Sequence, residues 1–155
     1  MIREKNIEHK NKLHTYRKFK NIFHLEPHLL YLNKEERHTL TKFRISSHRL
    51  EVERGRYFGL KFENRICKLC NDHVEDEEHF MISCKKNLEH IRVDYLNFIT
   101  NKYPNFQFLS NELKFIWLLI SEDRLIMSSV AKLLVKLFEK RYTLLNGGVA
   151  SLSSK

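Results

Sequence analysis

Cys67, Cys70 and Cys84 are the only cysteines in this chain, and with His79 they form Cys67-x2-Cys70-x8-His79-x4-Cys84. Three cysteines leave one unpaired in any disulfide scheme, but three thiolates and one imidazole are the ligand set of a Cys3His metal site. Structural zinc takes four such ligands in a tetrahedron with no position left for water. A C-x-x-C turn aims two thiolates at one point, so residues 71–84 must loop back to deliver the other two ligands. The alternative, three small apolar residues close together by chance, explains neither the order nor the ligand count. The motif therefore predicts one structural Zn2+ held by Cys67, Cys70, His79 and Cys84, inside a zinc knuckle spanning residues 64–84. His73 lies inside the same loop and is the rival imidazole.

The rest of the chain must support that loop. At 155 residues, 42% hydrophobic and 12% aromatic, it can bury a core of its own as a single domain. The longest strongly apolar run, Phe115 to Ile120, is too short to span a bilayer. Met1 is followed by Ile-Arg-Glu-Lys, with no apolar segment of a secretory signal. Reduced cysteines shared with a metal suit a reducing compartment, so the expectation is an intracellular protein with no membrane partner.

Charge is unevenly spread. Residues 1–66 carry 16 basic and 8 acidic side chains, residues 67–99 carry 4 and 7, and residues 100–155 carry 8 and 4. A basic N-terminal half interleaved with aromatics (Tyr16, Phe19, Phe23, Tyr31, Phe43, Tyr57, Phe58) is the electrostatic footprint of a nucleic-acid binder. A basic, soluble surface without a specific partner has the same composition. The acidic run Glu75-Asp76-Glu77-Glu78 is expected at a helix start, solvated, where negative charge favours the positive end of the helix.

Periodicity is mostly helical. Leu13, Tyr16, Phe19 and Phe23 predict a helix over residues 4–24, broken at Glu26-Pro27. Leu40 and Phe43 predict a second over Glu35–Ser47, with Arg37, Thr41, Arg44 and His48 as a basic stripe beside them. From Arg49 to Arg65 the pattern changes: Leu50 and Val52 alternate with charges, and Gly55 and Gly59 interrupt. This segment reads as a basic loop leading to a short strand at Ile66-Cys67. Three more helices follow, carried by Leu88 to Ile99, Leu113 to Ile120 and Leu125 to Leu145. Residues 1–145 thus form one helical domain, and 146–155 are expected to be a frayed tail.

Leu40 to Arg56, then Arg65-Ile-Cys-Lys-Leu-Cys70, then Val74-Glu-Asp-Glu-Glu-His-Phe-Met-Ile-Ser-Cys84, resemble the zinc-binding domain that follows the reverse transcriptase in non-LTR retrotransposon polyproteins. That pattern is a helix, a basic loop, C-x-x-C, and an acidic segment ending in His-x4-Cys. All four ligand positions match, and the similarity covers roughly residues 12–140. The resemblance implies template RNA or target DNA as ligand, a reverse transcriptase domain as possible partner, and a nuclear or cytoplasmic ribonucleoprotein as location. It also implies the C-terminal piece of such an element, since no Tyr-x-Asp-Asp polymerase motif is present.

The predicted fold class is mainly α, with a small zinc-knuckle β-hairpin inserted between helices. The predicted function is non-catalytic nucleic-acid binding, with Arg44, Arg49, Arg54, Arg56, Lys61 and Arg65 meeting phosphates. Four protein ligands close the metal, and no nucleophile–base pair or converging carboxylates appear, so no enzyme activity is expected. The competing class is a zinc-stabilised docking module for a polymerase or another protein.

Overall fold

Residues 12–20, 22, 24–86 and 88–147 are described here from a computed structural model, and they are mainly helical. The α-helices are α1 (His14–Arg17), α2 (His28–Tyr31), α3 (Lys34–Arg44), α4 (Glu51–Tyr57), α5 (Glu89–Lys102), α6 (Asn111–Ile120) and α7 (Arg124–Asn146). The three longest apolar patterns of the C-terminal third become α5, α6 and α7 as the periodicity predicts. Short polar side chains start several of these helices by accepting their first free N–H groups. Asn33 accepts from Glu36 on α3, Ser110 from Leu113 on α6, and Asp123 from Leu125 and Ile126 on α7.

Helix α7 is the axis of the fold, with α3, α5 and α6 laid against it. It buries Ile126, Val130, Ala131, Leu133, Leu134 and Leu137. Phe43 of α3 meets Phe115 of α6 and Phe138 of α7 edge-on at centroid distances of 6.3 and 6.2 Å. Phe80, the residue after His79, packs on Phe138 at 4.7 Å. Burying a side chain of this size stabilises by about 1.5–3 kcal/mol, so the ligand loop is pinned to the core at its centre.

The predicted N-terminal helix is much shorter than expected. Helix α1 spans four residues, after which Phe19 and Lys20 turn to other partners. The Arg44 guanidinium lies 4.5 Å from the Phe19 ring centroid, and Lys20 Nζ lies 2.6 Å from Glu26 Oε1. The parts of that prediction on residues 4–11 and Phe23, and the tail from residue 148, lie outside the described residues.

The basic loop is also corrected, because its first half is helical. Helix α4 buries Glu51, Glu53 and Gly55 rather than an apolar stripe, so hydrophobic periodicity does not reveal it. Gly59, at φ 69°, then closes α4 in the left-handed region, where glycine costs least.

The predicted β-hairpin does not form. Among the described residues Ile66 and Val74 make one isolated antiparallel bridge, flanked by Cys67 N–H to His73 C=O and Glu75 N–H to Arg65 C=O. Extending the ladder outward would join Arg65 N–H to Glu75 C=O. Arg65 N–H bonds Phe62 instead, in a 3-10 turn (Phe62–Asn64), and Glu75 C=O accepts from Val52 of α4. Extending inward would need Cys67 C=O, which the turn gives to Asn71 N–H. Every backbone group that could form a second rung is already bonded elsewhere.

Candidate metal centre

The C-x-x-C turn closes through Asn71 N–H to Cys67 C=O at 2.8 Å, with Asn71 at φ 56°. Backbone N–H groups of Leu69 and Cys70 point at the Cys67 sulfur, and those of Asp72 and His73 at the Cys70 sulfur. Such bonds favour the thiolate.

His79 and Cys84 come from a different element. At about 100° per residue, positions five apart on an α-helix diverge by about 140°. Residues His79–Ser83 instead form a π-helical turn, closed by Cys84 N–H to His79 C=O at 2.7 Å. That wider turn brings the chain back over itself after five residues, so His79 and Cys84 face the same point. Asp76 Oδ1 caps it by accepting from His79 N–H at 2.8 Å.

The four ligand atoms lie within 4.8 Å of one another. Cys67 Sγ and Cys84 Sγ are 3.9 Å apart, and Cys70 Sγ and His79 Nε2 are 3.4 Å apart. A tetrahedral ion with about 2.3 Å bonds to sulfur and about 2.0–2.1 Å to nitrogen requires spacings of about 3.8 and 3.5 Å. Those two pairs are at ligand spacing, and the cluster as a whole could hold a metal ion. His73 is not part of it: its ring stacks on His79 at 5.4 Å, two-thirds exposed, beside Asp72.

Burial pushes the Cys67 and Cys84 thiols up. At Cys70 the N–H groups of His73 and Asp72 outweigh burial and hold the thiol down. Burial, then the neighbouring His73, depresses the His79 imidazole, which suits the neutral ligand form. Three thiolates around a divalent ion would leave one net negative charge, and one arginine stands by to offset it. Arg92 of α5, 1% exposed, donates to Met81 C=O at 2.9 Å, Phe80 C=O at 2.8 Å and Cys84 C=O. It satisfies the free carbonyls of the π turn and places a cation beside Cys84.

A second arginine neutralises the buried Glu75 beside Cys67. Arg141 of α7 grips the fully buried Glu75 carboxylate in a two-point pair of 2.8 and 2.7 Å. Glu75 Oε2 also accepts the first N–H of α4, from Glu51, at 2.8 Å, and Oε1 lies 3.7 Å from Cys67 Sγ. One carboxylate thus joins the metal loop, α4 and α7. Two residues on, Glu77 is 2% exposed and accepts from Ser46 at 2.5 Å, His48 at 2.8 Å and Thr15 at 2.7 Å. The acidic run, expected as solvated surface, therefore sends Glu75 and Glu77 inward as structural hubs. None of Arg92, Arg141, Glu75 or Glu77 carries a local sequence signal for this role.

The six expected phosphate contacts divide. Arg49, Arg54 and Lys61 are exposed. Arg56 is half-buried and pairs with Glu53 at 3.0 Å. Arg44 and Arg65 are buried and committed elsewhere, which corrects the expected surface face. Arg44 donates to Glu26 at 3.0 Å and to Leu119 C=O at the end of α6. Arg65 donates to Leu60 and Val52 carbonyls at 2.9–3.1 Å. No helix among the described residues is long and apolar enough to cross a membrane.

No family model, curated protein or solved structure matches this chain.

Proposed function

We propose that the four ligands hold one structural zinc ion, and that the domain so fixed binds nucleic acid without catalysis. The observation that carries the zinc assignment is the convergence of three sulfurs and one imidazole nitrogen within 4.8 Å of one another. A structural zinc contributes folding energy directly. Here it would lock the turn after Cys67 to the π turn before Cys84, and through Phe80 to the core. Four protein ligands leave no position for an activated water. The carboxylates a nuclease would need are occupied, Glu75 by Arg141 and Glu77 by Thr15, Ser46 and His48.

Arg49, Arg54 and Lys61, exposed around α4, are the side chains offered to phosphates, with Arg56 partly so. The sequence likeness to retrotransposon zinc domains points the same way, towards template RNA or target DNA in a ribonucleoprotein. A second reading, a zinc-stabilised module docking onto a polymerase or another protein, is favoured by one observation. Leu30, Ile120 and Leu125 are exposed where α2 and the α6–α7 junction meet, beside the Arg124–Tyr31 contact.

One experiment separates these. Freshly purified, reduced protein should contain close to one equivalent of zinc, and less than half an equivalent overturns the metal assignment. RNA and DNA binding should weaken steeply between low and physiological salt. Replacing Arg49, Arg54 and Lys61 together by Ala should lower affinity tens-fold and reduce the log–log salt slope by about 0.7–0.9 per lost contact. Binding that ignores both salt and substitution favours docking.

A further inference from the structure

One face of the molecule carries a large groove between α3, α4 and the C-terminal half of α7, of about 1210 Å³. That exceeds the ~300–1,000 Å³ of a small-molecule pocket and suits a length of chain. Its floor is already part of the core, since Phe43 and Phe138 spend their ring faces on each other and on Phe80 and Phe115. With Arg141 set aside, since it is held by Glu75, five cations line the groove against three carboxylates. Of the three carboxylates, Glu53 is turned to Arg56. Lys42 and Arg49 are exposed at the mouth, with Arg54 and Lys68 nearby sharing the one carboxylate of Glu51.

The aromatics on the rim are different from those in the floor. Tyr57 is 76% exposed, Phe58 71% and Tyr142 68%. Arg54 approaches the Phe58 ring at 5.8 Å and Arg56 the Tyr57 ring at 4.8 Å. Flat rings with a free face, alternating with cations along a groove, are what unpaired bases and their phosphates require. A duplex hides its base faces and would use the cations alone. An apolar peptide would seek its aromatic contacts in the floor, where they are already taken.

We propose that this groove binds a single-stranded segment of RNA or DNA, with bases stacking on Tyr57, Phe58 and Tyr142 and phosphates on Lys42, Arg49, Arg54 and Lys68. The proposal rests on the nucleic-acid reading above and adds strand type and binding mode. It also brings in α7, through Tyr142, which the basic-loop reading does not include.

The test uses the full zinc-loaded chain and fluorescence anisotropy. The probes are a twelve-nucleotide oligouridylate, the matching oligothymidylate, a mixed twelve-base-pair duplex and a poly-glutamate of similar charge. Both single strands should bind more tightly than duplex or poly-glutamate. Changing Tyr57, Phe58 and Tyr142 together to Ala should weaken single-strand binding about a hundredfold or more, about fivefold or more for each stacked base lost, with the salt slope unchanged. The Tyr57→Phe/Tyr142→Phe variant keeps the rings and should bind like the parent. Duplex or poly-glutamate binding as tight as single strand, or an Ala variant that binds like the parent, overturns the groove assignment and leaves general phosphate binding standing. A parent protein that binds none of the nucleic acids overturns both.

Discussion

Glu77→Gln removes one charge and almost no volume from a site where three donors converge. Glu77 Oε1 accepts from Ser46 and from the His48 Nε2–H, while Leu50 N–H lies 3.3 Å from His48 Nδ1 on the other side of the ring. Oε2 accepts from Thr15. Burial disfavours the charge, but the bonds from His48, Ser46 and Thr15 outweigh it and hold the carboxyl down at about 2 against an ordinary 4.5. A depression of that size is worth about 3 kcal/mol of stability at neutral pH. Because the folded value is lowered, the contribution is complete above pH 4.5 and disappears as pH falls towards 2. In the variant Thr15 can rotate to accept from the new amide, so the geometry survives and the charge does not. Urea denaturation at pH 7 should show Glu77→Gln less stable by about 2–3 kcal/mol, or about 5–10 °C in Tm. The gap between parent and variant should hold from pH 7 to 5 and shrink steadily from pH 4.5 to 3. Metal loss in acid affects both proteins and largely cancels in that difference. A variant within 0.5 kcal/mol of the parent at pH 7, or a gap as large at pH 3 as at pH 7, would refute the charge-based account.

Gly55→Ala should destabilise although alanine favours helix by about 1 kcal/mol. Its Cβ would lie 2.6 Å from Arg65 Cγ, on a side chain held by three carbonyl bonds, and the expected net loss is about 1–3 kcal/mol by denaturation. The loss should be much smaller in an Arg65→Ala background, and a Gly55→Ala protein as stable as the parent would contradict this. Arg92→Met should leave the Phe80, Met81 and Cys84 carbonyls without their donor and weaken metal retention about 10–100-fold, measured by competition with a chelating dye. Arg92→Lys should recover little, because one ammonium cannot serve the same fork of carbonyls; unchanged retention in Arg92→Met would sink the idea.

The Cys/His cluster was legible because such clusters write themselves in local spacing: a two-residue gap for the turn, and a five-residue step that the π turn brings to one point. Helices α5, α6 and α7 were legible because apolar side chains recur along them at helical period, although α5 and α7 also bury Arg92 and Arg141. Helix α4 was not, since it buries Glu51, Glu53 and Gly55 and shows no hydrophobic stripe. Arg44 and Arg65 read as surface cations because, apart from Glu26 on Arg44, their acceptors are backbone carbonyls, in one case 75 residues away, and carbonyls leave no mark in a sequence. Glu75 and Glu77 read as solvated for the same reason: the arginine that neutralises Glu75 lies 66 residues downstream. The hairpin was a fair inference from Ile66 and Val74, but competition for backbone bonds is decided by tertiary neighbours.

The Glu75–Arg141 pair also bears on where this protein can be cut. The ligands end at Cys84, which invites excision of residues 64–84 as a portable finger. Such a piece would leave Glu75 beside the Cys67 sulfur with no cation opposite, and would take away the carboxylate's other duty at the start of α4. The smallest unit that keeps the loop's charges balanced runs on to Arg141, so the last helix belongs to the metal loop as much as the cysteines do. A fusion partner can be joined beyond Asn146 without disturbing that balance, whereas a boundary anywhere between Cys84 and Arg141 divides one site between two molecules.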